Sequence, residues 1–98
     1  MNYVIYKYSL NFTERTRIDL EIKGFKRALA IQDQRNVPCL WARVDIDDPV
    51  VTILGIQMIG TGHEVGSALL GYDHITTIQQ AGGAFVWHFF IREIAKVG

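Results

Sequence analysis

The sequence predicts an all-β domain, a small antiparallel sandwich or barrel of about seven strands with at most one short helix. Two observations carry this. Apolar and polar residues alternate with period two over most of the chain, and Gly, Pro, Asn and Asp cluster at the breaks. A helical reading fails, because the 3.6-residue pattern nowhere lasts more than a turn or two and β-branched residues abound. With 98 residues there is one domain, residues 1–98, with no internal repeat or linker.

The strands follow in order. In Tyr3–Leu10, the side chains of Val4, Tyr6, Tyr8 and Leu10 share one face. Asn11–Arg15 is a polar turn. Thr16–Ile22 alternates most cleanly, with Thr16, Ile18, Leu20 and Ile22 inward and Arg17, Asp19 and Glu21 outward, as an antiparallel sheet with one wet face requires. Lys23-Gly24-Phe25 breaks the run. Lys26–Gln32 is a third strand, with Arg27, Leu29 and Ile31 on one side. Asp33–Asn36 is turn chemistry. Val37–Ile46 is a fourth strand, with Leu40, Ala42 and Val44 on one face and Cys39, Trp41 and Arg43 on the other. Asp45, Asp47 and Asp48 before Pro49 read as turn formers rather than as a hard-cation site. Val50–Ile59 is apolar on both faces, as a covered strand is. Gly60–Gly71 is irregular, with room for one helical turn in Ser67–Leu70. Tyr72–Gln80 is a sixth strand and Ala81-Gly82-Gly83 a hairpin turn. Ala84–Ile91 is the seventh, with Phe85, Trp87, Phe89 and Ile91 on one face and Val86, His88 and Phe90 on the other. Arg92–Gly98 reads as a polar tail, a short helix or a frayed end.

Charge narrows the function classes. Ten Lys and Arg balance ten Asp and Glu, which argues against a general nucleic-acid binder and against an anionic-membrane binder. No run reaches the ~18 apolar residues of a membrane span, and Met1–Leu10 lacks the pattern of a signal peptide. One cysteine, Cys39, excludes an internal disulfide framework and fits a reducing compartment. The charges are uneven. Pro49–Ile91 carries only Glu64 and Asp73, where an average stretch of that length carries about eleven. Part of that half is therefore expected to contact a ligand or another chain, including a second copy in a homo-oligomer.

No catalytic constellation is visible. His63, His74 and His88 lie 11 and 14 residues apart, which matches no short metal motif. His74 reads as a turn cap and His88 as a strand residue with a satisfied ring. Cys39, between Pro38 and Leu40, reads as a buried small hydrophobe rather than a nucleophile. The chain is thus expected to be no enzyme, and to carry neither cofactor nor metal. The candidate ligand site is the loop Gly60-Thr61-Gly62-His63, whose glycines expose backbone N–H groups to an anion such as phosphate. Arg43 is expected to neutralise that anion, and Trp41 or Trp87 to stack a base.

Four segments, taken together, resemble a known family. They are Tyr6-Lys7-Tyr8-Ser9-Leu10, Val37-Pro38-Cys39-Leu40-Trp41-Ala42-Arg43-Val44-Asp45, Gly60-Thr61-Gly62-His63 and Val86-Trp87-His88-Phe89-Phe90. Their order is similar to that of a family of small phage and prophage proteins of unknown function, and the resemblance spans nearly the whole chain. Ile91–Gly98 extends past the typical pattern. The resemblance implies a phage-encoded protein acting in a bacterial host cytoplasm, and it brings no catalytic residues. The expected function is antagonism of a host anti-phage process by occupancy, through sequestration of a nucleotide signal near Gly60–His63. The alternatives are an inhibitor that docks on a host defence protein, and a minor virion or assembly component.

Overall fold

The computed structural model, which describes residues 1–98, resolves the choice between barrel and sandwich. Seven antiparallel strands form two sheets. They are β1 (Tyr3–Ser9), β2 (Arg17–Lys23), β3 (Phe25–Gln34), β4 (Val37–Asp45), β5 (Val51–Gly60), β6 (Asp73–Gln80) and β7 (Phe85–Val97). One sheet has the order β1-β4-β3, the other β2-β5-β7-β6. A single 3₁₀ turn, Ala81–Gly83, links β6 to β7.

Alternation decides what fills the space between the sheets. Leu40, Ala42 and Val44 point inward from β4 and are fully buried. From the other sheet they meet Ile22 of β2, Leu54 and Ile56 of β5, Ile78 of β6 and Phe89 of β7. Burial of each large aliphatic or aromatic side chain is worth about 1.5–3 kcal/mol, and this shared core holds the layers together. A polar thread also joins them. Trp87 Nε1 donates to Gln80 Oε1 at 3.1 Å, and Gln80 Nε2 donates to Asp33 Oδ1 at 2.9 Å, linking β7 through β6 to β3.

Three expectations need correction. The third strand does not keep Arg27, Leu29 and Ile31 on one side. Its register shifts at Phe25/Arg27 and again at Ala28/Ala30. Each bulge sets two residues against one and changes the phase, so Ile31 is buried while Leu29 is exposed. The C-terminal tail neither frays nor turns helical. Residues 92–97 continue β7, and Val97 pairs with Val51 at the start of β5. A central strand leaves unpaired backbone groups unless its neighbour runs its whole length. A register shift beside Ile53/Leu54 hides the alternation there, which is why Arg92 and Glu93 looked like a polar tail. Finally, Ser67–Leu70 forms no helix. Its hydrogen bonds are single turns, such as Leu70 N to Ser67 O at 3.1 Å.

These turns lie over the outer face of β5. Gln57 Nε2 donates to Ala68 O at 2.6 Å, and a Cβ on Gly55 would lie 2.7 Å from the Tyr72 hydroxyl. Strand β5 is thus covered on both faces, one by the opposite sheet and one by the chain's own loop. That accounts for much of the missing charge between Pro49 and Ile91.

The Asp45–Pro49 corner behaves as turn chemistry. Asp45 Oδ1 accepts from the Asn2 and Asp47 amides at 3.1 and 3.0 Å. Asp48 Oδ2 pairs with Lys26 Nζ at 2.7 Å, and its Oδ1 accepts from the Val50 amide at 2.9 Å. The amides hold the Asp45 pKa below its ordinary value, and the Lys26 ammonium, then the Val50 amide, do the same for Asp48. A depressed folded-state pKa contributes stability that is present above the unfolded value near ~3.9 and lost as pH falls through the folded value. Thermal melts on lowering pH below ~4 should therefore show falling stability, and Asp48→Asn should flatten the fall. An unchanged acid limb in that variant would refute the assignment.

Candidate functional site

The predicted loop closes one end of the four-stranded sheet, where β5 stops and β7 begins. Gly60 and Trp87 are the last pair between those two strands. The turn is tied down by Thr61 N to Val86 O at 3.2 Å and His63 N to Gly60 O at 3.1 Å. Glycine is needed at 60 for closeness of approach. A Cβ there would sit 2.8 Å from His63 Cε1 and 3.1 Å from Trp87 Cζ3. Its absence lets the His63 ring meet the Trp87 indole edge-on, with ring centres 6.4 Å apart.

A concavity of about 330 Å³ results. Gly60, Thr61 and His63 form one wall; Phe85 and Trp87 form the other. The two aromatic rings are nearly parallel, 13° apart with centres at 6.5 Å. Trp87 also backs a smaller hollow of about 190 Å³ with Phe12, Met58, Ile78 and Phe89. Its indole therefore separates the core from the concavity. Phe85, on the same face of β7, is 56% exposed.

Behind the turn runs a chain of polar side chains. His88 Nε2 lies 2.7 Å from Thr61 Oγ1, His88 Nδ1 lies 2.9 Å from Thr77 Oγ1, and Thr77 Oγ1 lies 3.0 Å from His74 Nε2. Threonine hydroxyls both donate and accept, so either tautomer of His88 is satisfied. His88 therefore anchors Thr61 rather than offering a free ligand. His74 is a strand residue in this chain, not the turn cap expected. The histidines join no group of three metal-ligating side chains. Cys39 is buried, its Sγ 3.6 Å from Val37 O and 4.0 Å from Ser9 Oγ.

The structure divides the predicted ligand residues between two places. Gly60, Thr61, His63 and Trp87 line the concavity, with Gly62 at the tip of the same turn. Trp41 and Arg43 do not line it. They lie on β4, in the other sheet, and point away from the core that Leu40, Ala42 and Val44 face. Arg43 instead lies over the Tyr3 ring, 5.1 Å from its centre. The loop is also a poorer anion cradle than its glycines suggest. Thr61 and His63 spend their amides on Val86 and Gly60, and no Lys or Arg lines the hollow. Phe85 was missed as a site residue because alternation puts it on the core face. Only its exposure in the folded chain reveals that the ring stays open to water.

The family described as "Domain of unknown function (DUF7352)" matches residues 1–97. The chain belongs to that family. No curated protein and no solved structure matches it. The family spans both sheets and the turn at Gly60–His63, so the concavity lies wholly within the matched region. No helix is long and apolar enough to cross a membrane.

Proposed function

We propose that the protein is a non-enzymatic binder that acts by occupancy, with the concavity beside Gly60–His63 as its site. One observation carries this: Gly60, Thr61 and His63 of one turn and the sequence-distant Trp87 line one hollow together with the exposed ring of Phe85. Flat aromatic walls favour a planar ring, and base–aromatic stacking contributes about 1–3 kcal/mol per base. The ligand is a nucleotide whose base lies against Trp87 and Phe85, with His63 at its edge. Its phosphates point outward past Gly62, since the hollow supplies no side-chain cation. The resemblance to phage proteins supplies the setting, a host anti-phage signal removed by sequestration in the bacterial cytoplasm.

The test is thermal shift against a nucleotide panel, together with native mass spectrometry of the purified chain. A ligand at a hundred times its Kd stabilises by about 2.7 kcal/mol, a rise of roughly 10 °C or more for a domain of this size. Phe85→Ala and His63→Ala should each abolish the shift while leaving the unliganded melt nearly unchanged. Arg43→Ala should leave the shift intact, because Arg43 belongs to the other sheet. Absence of any shift, or of any retained nucleotide-sized adduct, would overturn the nucleotide reading. A second reading, docking of this end on a host protein or a second copy, draws on the exposed apolar ring of Phe85. It predicts a stable complex or homo-oligomer that Phe85→Ala dissociates.

A further inference from the structure

The outer face of the three-stranded sheet sets exposed cations beside exposed apolar side chains. Antiparallel register sets Ile5, Arg43 and Arg27 side by side in one row, and Lys7, Trp41 and Ala30 in the next. All point away from the core. Lys7, Arg27 and Arg43 are exposed, and none of them is in an ion pair. The acid within the strands of this face, Asp45, is buried and held by the amides of Asn2 and Asp47, while Asp47 and Asp48, at the corner beyond β4, pair with the N-terminal ammonium and with Lys26. Between the cations lie apolar groups open to water: Ile5 is 61% exposed and Leu29, bulged out of β3, is 44% exposed. Trp41 is half-buried at the centre, and Tyr3 sits under the Arg43 guanidinium.

We propose that this face binds an extended, acidic segment of a partner protein bearing apolar side chains. The charge points to acid, since three unpaired cations share a face with no free carboxylate. Trp, Tyr and Arg are also the residue types that anchor protein interfaces. The apolar component separates a protein from a nucleic acid, because a sugar–phosphate backbone does not cover aliphatic side chains such as Ile5 and Leu29. A second copy of this chain is disfavoured, because apposing the same face would set cations against cations. The face measures about 20 Å along the strands and about 10 Å across, room for one extended segment of roughly six residues. This site is independent of the concavity, which lies at the end of the other sheet.

The experiment selects binders from a random-peptide library displayed against the full chain. The strongest is then measured by fluorescence anisotropy, with labelled oligothymidylate in parallel. The expected winners are rich in Asp and Glu interspersed with aliphatic or aromatic residues. Arg27→Glu and Arg43→Glu, each at an exposed position, should each weaken the selected peptide at least about ten-fold, as should added salt. The peptide should also change a tryptophan emission that is lost in Trp41→Phe. Phe85→Ala should leave the affinity unchanged, so failure here and failure at the concavity are distinguishable. The proposal is overturned if no acidic peptide is selected, if both charge reversals leave affinity intact, or if oligothymidylate binds this face in preference to peptide.

Discussion

Gly24→Ala should destabilise the protein by about 4 kcal/mol or more, lowering its melting temperature by roughly 16 °C or more. Gly24 is the whole connection between β2 and β3, so the chain passes from one sheet to the other at a single residue. Its φ is +71°, in the left-handed region, where a side chain costs about 1–2 kcal/mol. A Cβ there would also collide with the backbone carbonyl oxygen of Asp45 and lie 3.3 Å from that of Asp48. Relief by movement is blocked, because both backbone groups of Gly24 are in use. Its N–H donates to Val50 O at 2.8 Å, and its carbonyl accepts from Asp45 N at 2.8 Å. Gly82 provides the control. Its φ is +66°, but nothing lies within 4 Å of a Cβ built there, so Gly82→Ala should cost only the conformational strain of about 1–2 kcal/mol. Paired denaturant melts decide the matter. Equal losses in the two variants would mean that the Gly24 corner yields, and that the close approach to Asp45 is unimportant.

Phe89→Ala is the second large effect, expected at about 3–5 kcal/mol. Phe89 is 1% exposed. It lies opposite Met58 of β5 and Thr76 of β6, with its ring edge-on to Phe12 at 5.9 Å. Its core neighbours Leu40, Ile56 and Ile78 are fixed on strands of both sheets, which limits their collapse into the space left, so most of the cavity cost persists. Phe85→Ala, on the same face of the same strand, should cost less than about 1 kcal/mol, because that ring is already in water. The contrast checks both the core and the concavity. If Phe85→Ala proved as damaging as Phe89→Ala, Phe85 would be structural and the concavity would lose its outer wall.

Most of the fold was legible in the residues. Seven strands were expected within a residue or two of where they lie, apart from the C-terminal half of β7. The inward sets of β2 and β4 match, with Ile22, Leu40, Ala42 and Val44 all buried. The Asp33–Asn36 turn also stands, as a two-residue hairpin with Arg35 and Asn36 both at positive φ, which suits the twist of the paired strands. Failures came where a bulge interrupts the period. In β3 it exposes Leu29, and in β7 it disguises residues 92–97. A bulge adds one residue to a strand and shifts its side-chain phase, so alternation read straight through it assigns the wrong face. At the candidate site, the loop and Trp87 come together because β5 ends and β7 begins on one ladder. Trp41 and Arg43, expected beside them, lie in the other sheet.

Read alone, the residues determined which segments are strands and which face of most strands is apolar. Both are local properties, because successive side chains point to opposite sides of the backbone whatever lies beyond. Pairing, sheet membership and the exposure of Phe85 were decided only in three dimensions. They depend on contacts between residues far apart in the chain, and the same alternation serves a strand equally well in either layer. Hence Trp41 and Arg43 ended on one outer face, while Phe85 and Trp87 ended beside Gly60–His63.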